Sequence, residues 1–420
     1  MTNDDRTFIR AGRFIDVVAK EVRPDQLITV VGDRVESVEP EGAHLPEGAH
    51  VIDLSRSSVL PGLSDMHAHL VGQEDEGQGY ASLVMRSPAQ EAFGGVRNAR
   101  RTIHAGFTTV RDIGTFRAFV DVALREAIDA GDVLGPRMRC AGAYVTCPGG
   151  GGDLTGLAVD VDSVVPRDLR FGVTSGVDQM RSNVRQILRY GADFIKIIAT
   201  GAVLTSGTNP GAPEFTEDEI RAAVEETALS DTHVAAHAHG AEGIKRAVRA
   251  GVRSIEHGSL MDDESIELMA ERGTYLVADI YDGDWIGQEG PRLGYSDEVL
   301  RKNQETTDAQ REGFRKCVKA GVTIAYGTDS GVYPHGLNAR QFVKHVEHGQ
   351  TPMEAICSAT IVNSQLLNWD EVGAIEPGRY ADIIAVDGDP LEDIALLQDV
   401  AFVMKGGQVV KGDGIPDVVT

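Results

Sequence analysis

Seven polar residues stand at or near the ends of short apolar runs, where hydrophobic side chains would be expected. They are His67, His69, Lys196, His237, His239, His257 and Asp329. Four of the histidines form two His-x-His pairs, and because side chains alternate along a strand, both rings of a pair point to the same side. Two neighbouring imidazoles can chelate one divalent ion such as Zn²⁺, Fe²⁺, Co²⁺ or Mn²⁺. A lone histidine on an apolar strand is usually a buried structural residue, whereas seven polar residues in equivalent places predict a metal site.

Lys196 lies inside the apolar run FIKII. An ammonium group buried beside metal-binding imidazoles is repelled and costly to desolvate, so we expect its pKa to fall. A neutral amine can react with carbon dioxide, and the resulting carbamate carries a negative charge and two oxygens that can bridge two metal ions. The alternative is a lysine whose ammonium group reaches solvent, for which a central strand leaves little room.

Eight apolar runs rich in Val, Ile and Thr carry these residues and alternate with helix-length segments. The runs are VLPGLSDMHAH, GFTTVRDIG, RMRCAGAYVT, DFIKIIATG, HVAAHAHG, SIEHGS, TYLVADI and TIAYGTDSG. Eight strand–helix units predict an α/β protein with a (β/α)8 TIM-type barrel over residues 61–369, whose active site lies at the carboxyl ends of the strands. A doubly wound open sheet is the alternative, but it would normally carry G-x-G-x-x-G where the first run ends in His-Ala-His.

Residues 1–60 and 370–420 show a different pattern, in which apolar and polar residues alternate in short runs separated by turn residues. This period of two is typical of strands, yet neither end has enough of them for a stable sheet. We therefore expect both ends to form one small β-sandwich domain.

Composition excludes several classes of partner. The chain has 420 residues and a formal net charge of −24, from 64 acids and 40 bases, which disfavours nucleic acid and anionic lipid. No apolar run approaches the roughly 20 residues needed to span a membrane. The N-terminus lacks the apolar segment of a secretory signal, and the four cysteines form no C-x-x-C pair. We therefore expect a cytoplasmic protein without a membrane partner.

Several motifs resemble the amidohydrolase superfamily. The likeness rests on VLPGLSDMHAHL, Lys196, His237, His257 and GTDSG. Longer stretches resemble the branch of imidazolonepropionase-like proteins, Xaa-Pro-type dipeptidases and ochratoxin-type amidohydrolases. These stretches are ATGAVLTSGTNPGAPEFTEDEIRAAV, VAAHAHGAEGI, GTDSGVYPHGLNAR and TPMEAICSAT, and GAIEPGRYADIIAVDGDP resembles the returning β-sandwich segment of the superfamily.

The resemblance implies roles for the seven residues. His67, His69 and Asp329 would hold the more buried of two divalent ions, for which Zn²⁺ is the expected metal. His237 and His257 would hold the second ion, and carboxylated Lys196 would bridge both. His239 would face the substrate and polarise the scissile carbonyl or bind a carboxylate. The resemblance also implies a small-molecule or dipeptide substrate and a homo-oligomer, with an octamer as one form.

The loop after the third strand departs from the branch, which often has Gly-Gly-His-Gly there. This chain has a run of four glycines at 149–152, with a glycine where the histidine would stand. Tyr144, Thr146 or Cys147 are candidates to replace that substrate contact. No Lys-Ser/Thr follows the glycines, so a phosphate-binding loop is not indicated.

Two further substrate contacts are suggested by residue type. Arg340 is a candidate for a substrate carboxylate, because arginine pairs with carboxylates through two hydrogen bonds, and a surface helix position is the alternative. Tyr281 or Trp285, in or beside what we predict to be a long irregular loop after strand 7, is a candidate to cover an apolar substrate group.

The mechanism that follows is hydrolysis by a hydroxide bridging the two ions, which attacks an amide carbonyl. Asp329 would take the proton and pass it to the departing amine, and His239 would stabilise the oxyanion. We expect a dipeptidase, carboxypeptidase-like enzyme or N-acyl amino acid hydrolase. The alternative is hydrolysis of a cyclic amide, aryl amide, carbamate or lactone. A catalytically silent scaffold is disfavoured because no ligand is missing.

Overall fold

The computed structural model describes residues 6–42, 45–72 and 81–412. The start of the chain, on which the expectation about a secretory signal rests, lies outside these ranges, as do the outer ends of the predicted segments 1–60 and 370–420. The first four strands are β1 (Arg6–Asp16), β2 (Glu21–Val31), β3 (Arg34–Pro40) and β4 (His50–Pro61).

A parallel barrel follows directly after β4. Its strands are β5 (Leu63–Ala68), β6 (Phe107–Asp112), β7 (Arg137–Cys140), β8 (Tyr144–Val145), β9 (Ile195–Ile198), β10 (Val234–Gly240), β11 (Ser254–Leu260), β12 (Tyr275–Ala278) and β13 (Ile324–Tyr326). Neighbouring strands pair in chain order, as β5-β6-β7 and as β8 through β13. The backbone between Ala68 and Ser330 closes the ring by a parallel bridge.

The third barrel strand is broken, although its sequence predicts one run. β7 pairs with β6, and β8 pairs with β9. The bend between them contains Gly142, whose φ of 74° is accessible to glycine at little cost. The Gly142 amide donates to the buried carboxylate of Asp121, which holds the bend in place.

Helices surround the barrel and connect its strands. They are α1 (Ala81–Met85), α2 (Pro88–His104), α3 (Val120–Asp129), α4 (Val159–Asp162), α5 (Val177–Arg189), α6 (Glu217–Ala228), α7 (Ala241–Ala250), α8 (Asp263–Arg272), α9 (Asp282–Leu293), α10 (Asp297–Ala320), α11 (Arg340–Glu347), α12 (Pro352–Ser358) and α13 (Ile361–Leu367). Capping boxes stabilise the N-termini of four helices, α2, α6, α8 and α12. No helix within the described ranges is both long and apolar enough to cross a membrane.

The segment after β12 was expected to be an irregular loop, and this expectation is wrong. It forms α9, which ends at Gly294 with φ 84°. The helix forms despite Pro291 and three glycines because it buries Ile286 against Val332 and the ring of Tyr333. Tertiary packing thus overrides a weak local helix propensity.

The chain returns to its N-terminal sheet through β14 (Ile383–Asp387), β15 (Phe402–Lys405) and β16 (Gln408–Lys411). The seven strands form one continuous sheet in the order β16-β15-β14-β4-β1-β2-β3. The sheet curls so that Ile28 of β2 and Met404 of β15 share one apolar cluster. The predicted barrel and the separate β domain built from both ends are confirmed, while the exact division at residues 60 and 370 stays a prediction.

Candidate active site

A cavity of about 910 Å³ opens at the carboxyl ends of the barrel strands. All seven polar residues singled out from the sequence line it: His67, His69, Lys196, His237, His239, His257 and Asp329. They come from β5, the residue just beyond its end, β9, β10, β11 and the segment after β13, so residues up to about 260 positions apart in the chain converge at one place. Parallel strands produce this convergence because their carboxyl ends meet at the same edge.

The histidine rings form a continuous cluster. Ring centroids lie 4.7 Å apart for His67 and His257, and 4.5 Å apart for His237 and His257. His239 lies 4.8 Å from His257. One ligand atom from each of His237, His239 and His257 fits within 4.8 Å of the others, and the same holds for His67, His257 and Asp329. Each of these two groups, which share His257, could hold a metal ion, and His239 belongs to the first of them.

Two of these residues have strained backbones. His257 has φ 69° and Asp329 has φ 55°, in the left-handed region that most residues avoid. Asp329 is held there because its amide donates to the carbonyl oxygen of His67 at 2.7 Å, and its Oδ1 lies 3.2 Å from His69 Nε2. Strain of this kind is often found where function requires a particular side-chain direction.

Each histidine uses its outer ring nitrogen for a protein contact. Nδ1 of His67 contacts Glu256 at 3.0 Å, and Nδ1 of His257 contacts Asp279 at 2.7 Å. The other contacts are His69 Nδ1 with Gly114 O at 2.8 Å, His239 Nδ1 with Ser259 Oγ at 2.8 Å, and His237 Nε2 with Gly201 O at 3.2 Å. The inner nitrogen of each ring therefore faces the cluster, as metal-binding histidines require.

Glu256 and Asp279 are two functional residues that the sequence does not reveal. Each lies at a position where the alternation of side chains along a barrel strand points inward, and Glu256 directly precedes the predicted ligand His257. A single acidic residue, however, forms no spacing pattern that would mark it as functional. Their partners lie on other strands, so only the fold brings these contacts together.

Electrostatics favour neutral imidazoles at three of the histidines and an ionised carboxylate at Asp329. At His69, burial lowers the pKa, but the contact with Asp329 outweighs it and raises the pKa. Burial lowers the pKa of His67, His237 and His239 well below the usual histidine value, and neighbouring cationic groups lower it further. Burial alone would raise the pKa of Asp329, but His67 and His69 hold it below its usual range. Neutral imidazole nitrogens and an ionised carboxylate are the donors that divalent transition ions and Zn²⁺ prefer, so these residues fit a metal site.

Lys196 is 2% exposed and lines the cavity beside the histidines. Burial lowers the pKa of its ammonium group to about 8, and the guanidinium of Arg111 acts in the same direction. About a tenth of the amine is therefore neutral at pH 7, and this fraction rises steeply above that pH. The alternative of a solvent-exposed ammonium is wrong for this lysine because β9 lies in the middle of the barrel.

The predicted substrate contacts differ in placement. Tyr144 lines the cavity, but its hydroxyl is engaged by the Gly114 carbonyl at 3.0 Å and by His69 Nδ1 at 3.2 Å. Arg340 is exposed, does not line the cavity, and donates to the hydroxyl of Tyr281 at 2.8 Å. The structure thus does not bring Arg340 to the site, because α11 begins after a turn that carries its first residue outward.

Tyr281 and Trp285 also lie behind the cavity wall. Both pack against Tyr333, with ring centroids 5.2 and 6.3 Å away. The helical path of α9 turns Ile286 and Asp282 toward the cavity instead. These aromatic rings support the wall and do not cover its opening.

The glycine-rich loop forms part of the cavity floor. Gly151 donates its amide to Glu214 at 2.9 Å, and Asp153 pairs with Arg170 at 2.7 Å. Cys147 does not line the cavity, and burial raises the pKa of its thiol to about 11, so it is a poor nucleophile. The loop is tightly packed at Gly151 and Gly152, where an added Cβ would lie 3.1 Å and 2.8 Å from its nearest neighbours, whereas a Cβ at Gly149 would meet nothing within 4 Å.

Substituting Gly152 with Ala is expected to destabilise the protein by about 1–3 kcal/mol. The new Cβ would lie 2.8 Å from Cγ1 of the buried Ile198 and 3.2 Å from Cβ of Thr146, so neighbouring side chains or the loop backbone must shift to admit it. Urea unfolding measures the change. Gly287→Ala in α9 is the matched control, because its Cβ meets nothing nearer than 3.7 Å, and it should stabilise by about 0.5–1 kcal/mol. Equal effects of the two substitutions would contradict the packed loop.

The fold and the site together define a class: a (β/α)8 barrel with a histidine- and aspartate-rich cluster at the carboxyl ends of its strands. Within this class, residues 58–410 match the amidohydrolase family. The chain belongs to this family and is a hydrolase.

Individual relatives agree with this assignment. Ochratoxinase from Aspergillus niger is 34% identical over 379 residues, which cover 85% of this chain and 76% of that protein. A Xaa-Pro dipeptidase crystallised with methionine in its active site is 39% identical, with a TM-score of 0.91 over 97% of this chain and all of the other. A prolidase complexed with N-methylphosphonate-L-proline is 30% identical, with a TM-score of 0.88 over 97% and 100% of the two chains.

Proposed function

We propose that this protein is a binuclear metal-dependent amidohydrolase that cleaves the amide bond of dipeptides or N-acyl amino acids. The observation that carries the proposal is the convergence of six donors in one cavity: His67, His69, Lys196, His237, His257 and Asp329. Buried imidazole nitrogens beside the ionised carboxylate of Asp329 suit divalent ions, with Zn²⁺ as the expected metal.

Divalent ions at this site would lower the pKa of water to about 7 and so make a nucleophile available at neutral pH. Asp329 is placed to hold the proton released by that water, because its Oδ1 faces the imidazoles from the end of the barrel. It would then deliver the proton to the departing amine, which leaves poorly as an anion. His239, fixed by Ser259, would polarise the scissile carbonyl.

Lys196 would complete the site as a carbamate. Its neutral amine can attack carbon dioxide, and loss of one proton leaves a group with one negative charge and two oxygens. This converts a buried cation among imidazoles into an anion that can bridge two cations. The low solvent exposure of Lys196 and its lowered pKa support this role.

The cavity walls support a substrate with both apolar and anionic parts. Leu83, Phe116 and Leu154 contribute apolar surface, while Arg86 contributes positive charge. A hydrophobic amino acid with a free carboxylate combines these properties. The relatives named ochratoxinase, Xaa-Pro dipeptidase and prolidase agree with an amide substrate of this kind.

A substrate panel tests the proposal. Zinc-reconstituted protein should hydrolyse dipeptides or N-acyl amino acids with a free carboxylate, and should lose activity toward the same compounds as methyl esters. The panel should also contain cyclic amides, aryl amides, carbamates and lactones. Turnover confined to these compounds would replace the proposed substrate class with the alternative class, while leaving the metal site intact.

Zinc uptake by the metal-free protein is expected to increase with added bicarbonate, and to do so more strongly near pH 9 than near pH 6. The reason is that the amine of Lys196 must be neutral to form a carbamate, and its neutral fraction rises as the pH passes about 8. Uptake can be followed with a chelating dye at both pH values. Uptake that is independent of bicarbonate at both would contradict the carbamate.

A further inference from the structure

A buried network lies beneath the histidine cluster, on the side away from the cavity opening. It consists of Arg111 on β6, Ser254 and Glu256 on β11, and His67 on β5. Arg111, Ser254 and Glu256 are each 0% exposed, and His67 is 1% exposed. A fully buried arginine–glutamate pair is costly to desolvate and is not explained by stability alone.

The hydrogen bonds of Glu256 divide between its two oxygens. Oε1 accepts from Arg111 Nη2 at 2.7 Å and from the Ser254 hydroxyl at 2.5 Å. Oε2 contacts only Nδ1 of His67, at 3.0 Å, among the described residues. Arg111 is itself fixed, because Nε donates to the Met66 carbonyl at 2.6 Å and Nη1 donates to Ser254 Oγ at 3.1 Å. The arginine and the serine therefore determine which oxygen faces the histidine.

From this geometry we infer that Arg111, Ser254 and Glu256 act as positioning residues that hold His67 in its Nδ1–H tautomer. Because Glu256 is paired with the Arg111 guanidinium and accepts from Ser254 on Oε1, it presents Oε2 to His67 as an acceptor, and this contact requires a proton on Nδ1. The lone pair then resides on Nε2, which lies 3.5 Å from Asp329 Oδ1 and faces the cluster. The inference rests on the proposed metal centre and adds to it how one ligand is prepared before an ion arrives.

Glu256→Gln has a specific consequence in this network. Arg111 donates a hydrogen bond to the Oε1 position, so the amide must place its oxygen there and its NH₂ group against His67. With an NH₂ donor facing it, Nδ1 of His67 must accept a hydrogen bond and cannot carry the ring proton. The proton then resides on Nε2, and this nitrogen no longer has a lone pair to offer a metal ion. Glu256→Ala removes the same charge, but it leaves a polar space that a water molecule can fill, and water can either accept or donate.

The test is the affinity for Zn²⁺ alone, measured by competition with a chelating dye. Removing such an outer partner typically weakens metal binding 10- to 100-fold. We expect Glu256→Gln to weaken Zn²⁺ binding about 100-fold and Glu256→Ala to weaken it about 10-fold. Glu226→Gln is the matched control, because Glu226 is likewise a buried, arginine-paired glutamate, held by Arg181 and Arg185, but it contacts none of the histidines in the cavity. It should lower the Tm and leave the Zn²⁺ affinity unchanged.

A merely structural role for Glu256 predicts a different ranking of the Zn²⁺ affinities of its two variants. If Glu256→Ala binds Zn²⁺ as weakly as Glu256→Gln or more weakly, or if the loss of affinity follows the loss of Tm in all three variants, the inference is wrong.

A measurement on the unmodified chain remains informative if the variants do not fold. Long-range ¹H–¹⁵N spectra of metal-free protein labelled at histidine report which ring nitrogen carries the proton, and the His67 signal is identified by its absence from His67→Gln. An Nδ1–H signal supports the inference, and an Nε2–H signal overturns it. Failure of wild-type protein to bind Zn²⁺ would instead refute the proposed function, since the tautomer is observed without metal.

Discussion

Replacing Asp329 with Asn is expected to lower kcat by about 10²- to 10⁴-fold, the usual contribution of a positioned general acid–base group. The amide has the same shape but neither carries the negative charge nor takes up a proton at neutral pH. Asparagine tolerates a φ near 55° as well as aspartate does, so the strained end of the barrel strand should be retained. Steady-state kinetics on the best substrate of the panel, together with the Tm, measure the effect.

Asp284→Asn is the matched control for this substitution. Asp284 is ion-paired with Arg311 at 2.7 Å and Lys344 at 3.1 Å, and it does not line the cavity. Its variant should keep kcat within about a factor of two, because the substitution leaves every cavity-lining residue unchanged. An Asp329→Asn variant that keeps more than about a tenth of wild-type kcat would show that another group moves the proton.

Lys196→Met is expected to have opposite effects on stability and on function. Burial lowers the pKa of Lys196 from 10.5 to about 8, which corresponds to about 3 kcal/mol of destabilisation when the amine is charged in the unfolded chain. Methionine has a similar volume and no charge, so metal-free Lys196→Met should be more stable than metal-free wild type. The same variant cannot form the proposed carbamate, so kcat/KM should fall by about 10³-fold or more.

The sign of the stability effect depends on pH. The destabilisation caused by burying Lys196 is fully present below about pH 8, because the lysine is then protonated in both states and its ammonium group is less stable in the folded state than in the unfolded chain. It vanishes above the unfolded pKa of about 10.4, where both states are neutral. Urea unfolding without metal or bicarbonate should therefore show an advantage of Lys196→Met that is largest near pH 7.

Lys302→Met provides the comparison. The side chain of Lys302 is 4% exposed, but its ammonium contacts Glu298 at 2.7 Å and the Thr205 carbonyl at 2.8 Å. Removing it leaves these acceptors without a partner, so this variant should be less stable than wild type. If Lys196→Met is destabilised to the same extent and retains full activity, Lys196 is a structural residue.

Patterns of period two account for much of what the sequence alone revealed. The spacing of His67 with His69, and of His237 with His239, determines that both members of a pair point into the barrel once the strands exist. The carboxyl ends of parallel strands then bring these pairs together regardless of their distance along the chain. For this reason the barrel and the cavity-lining donors could be predicted without any knowledge of the contacts between them.

Contacts that depend on depth or on helix orientation could not be predicted in the same way. Alternation indicates that Glu256 points inward, but not that it reaches across the barrel to His67. Arg340 follows GTDSG closely in sequence, yet the start of α11 turns it to the surface. The path of α9 depends on burying Ile286, which outweighs its glycines and proline. Each of these features is decided by packing between distant segments.

The most direct test of the proposed binuclear site is a titration of metal-free, bicarbonate-treated protein with Zn²⁺, in which bound metal and hydrolysis of an N-acyl amino acid or dipeptide are measured together. Six convergent donors predict that hydrolysis is absent without metal, rises with added Zn²⁺ and reaches its maximum at two ions per chain. Full hydrolysis by the metal-free protein, or saturation at fewer than two bound ions, would contradict the proposal.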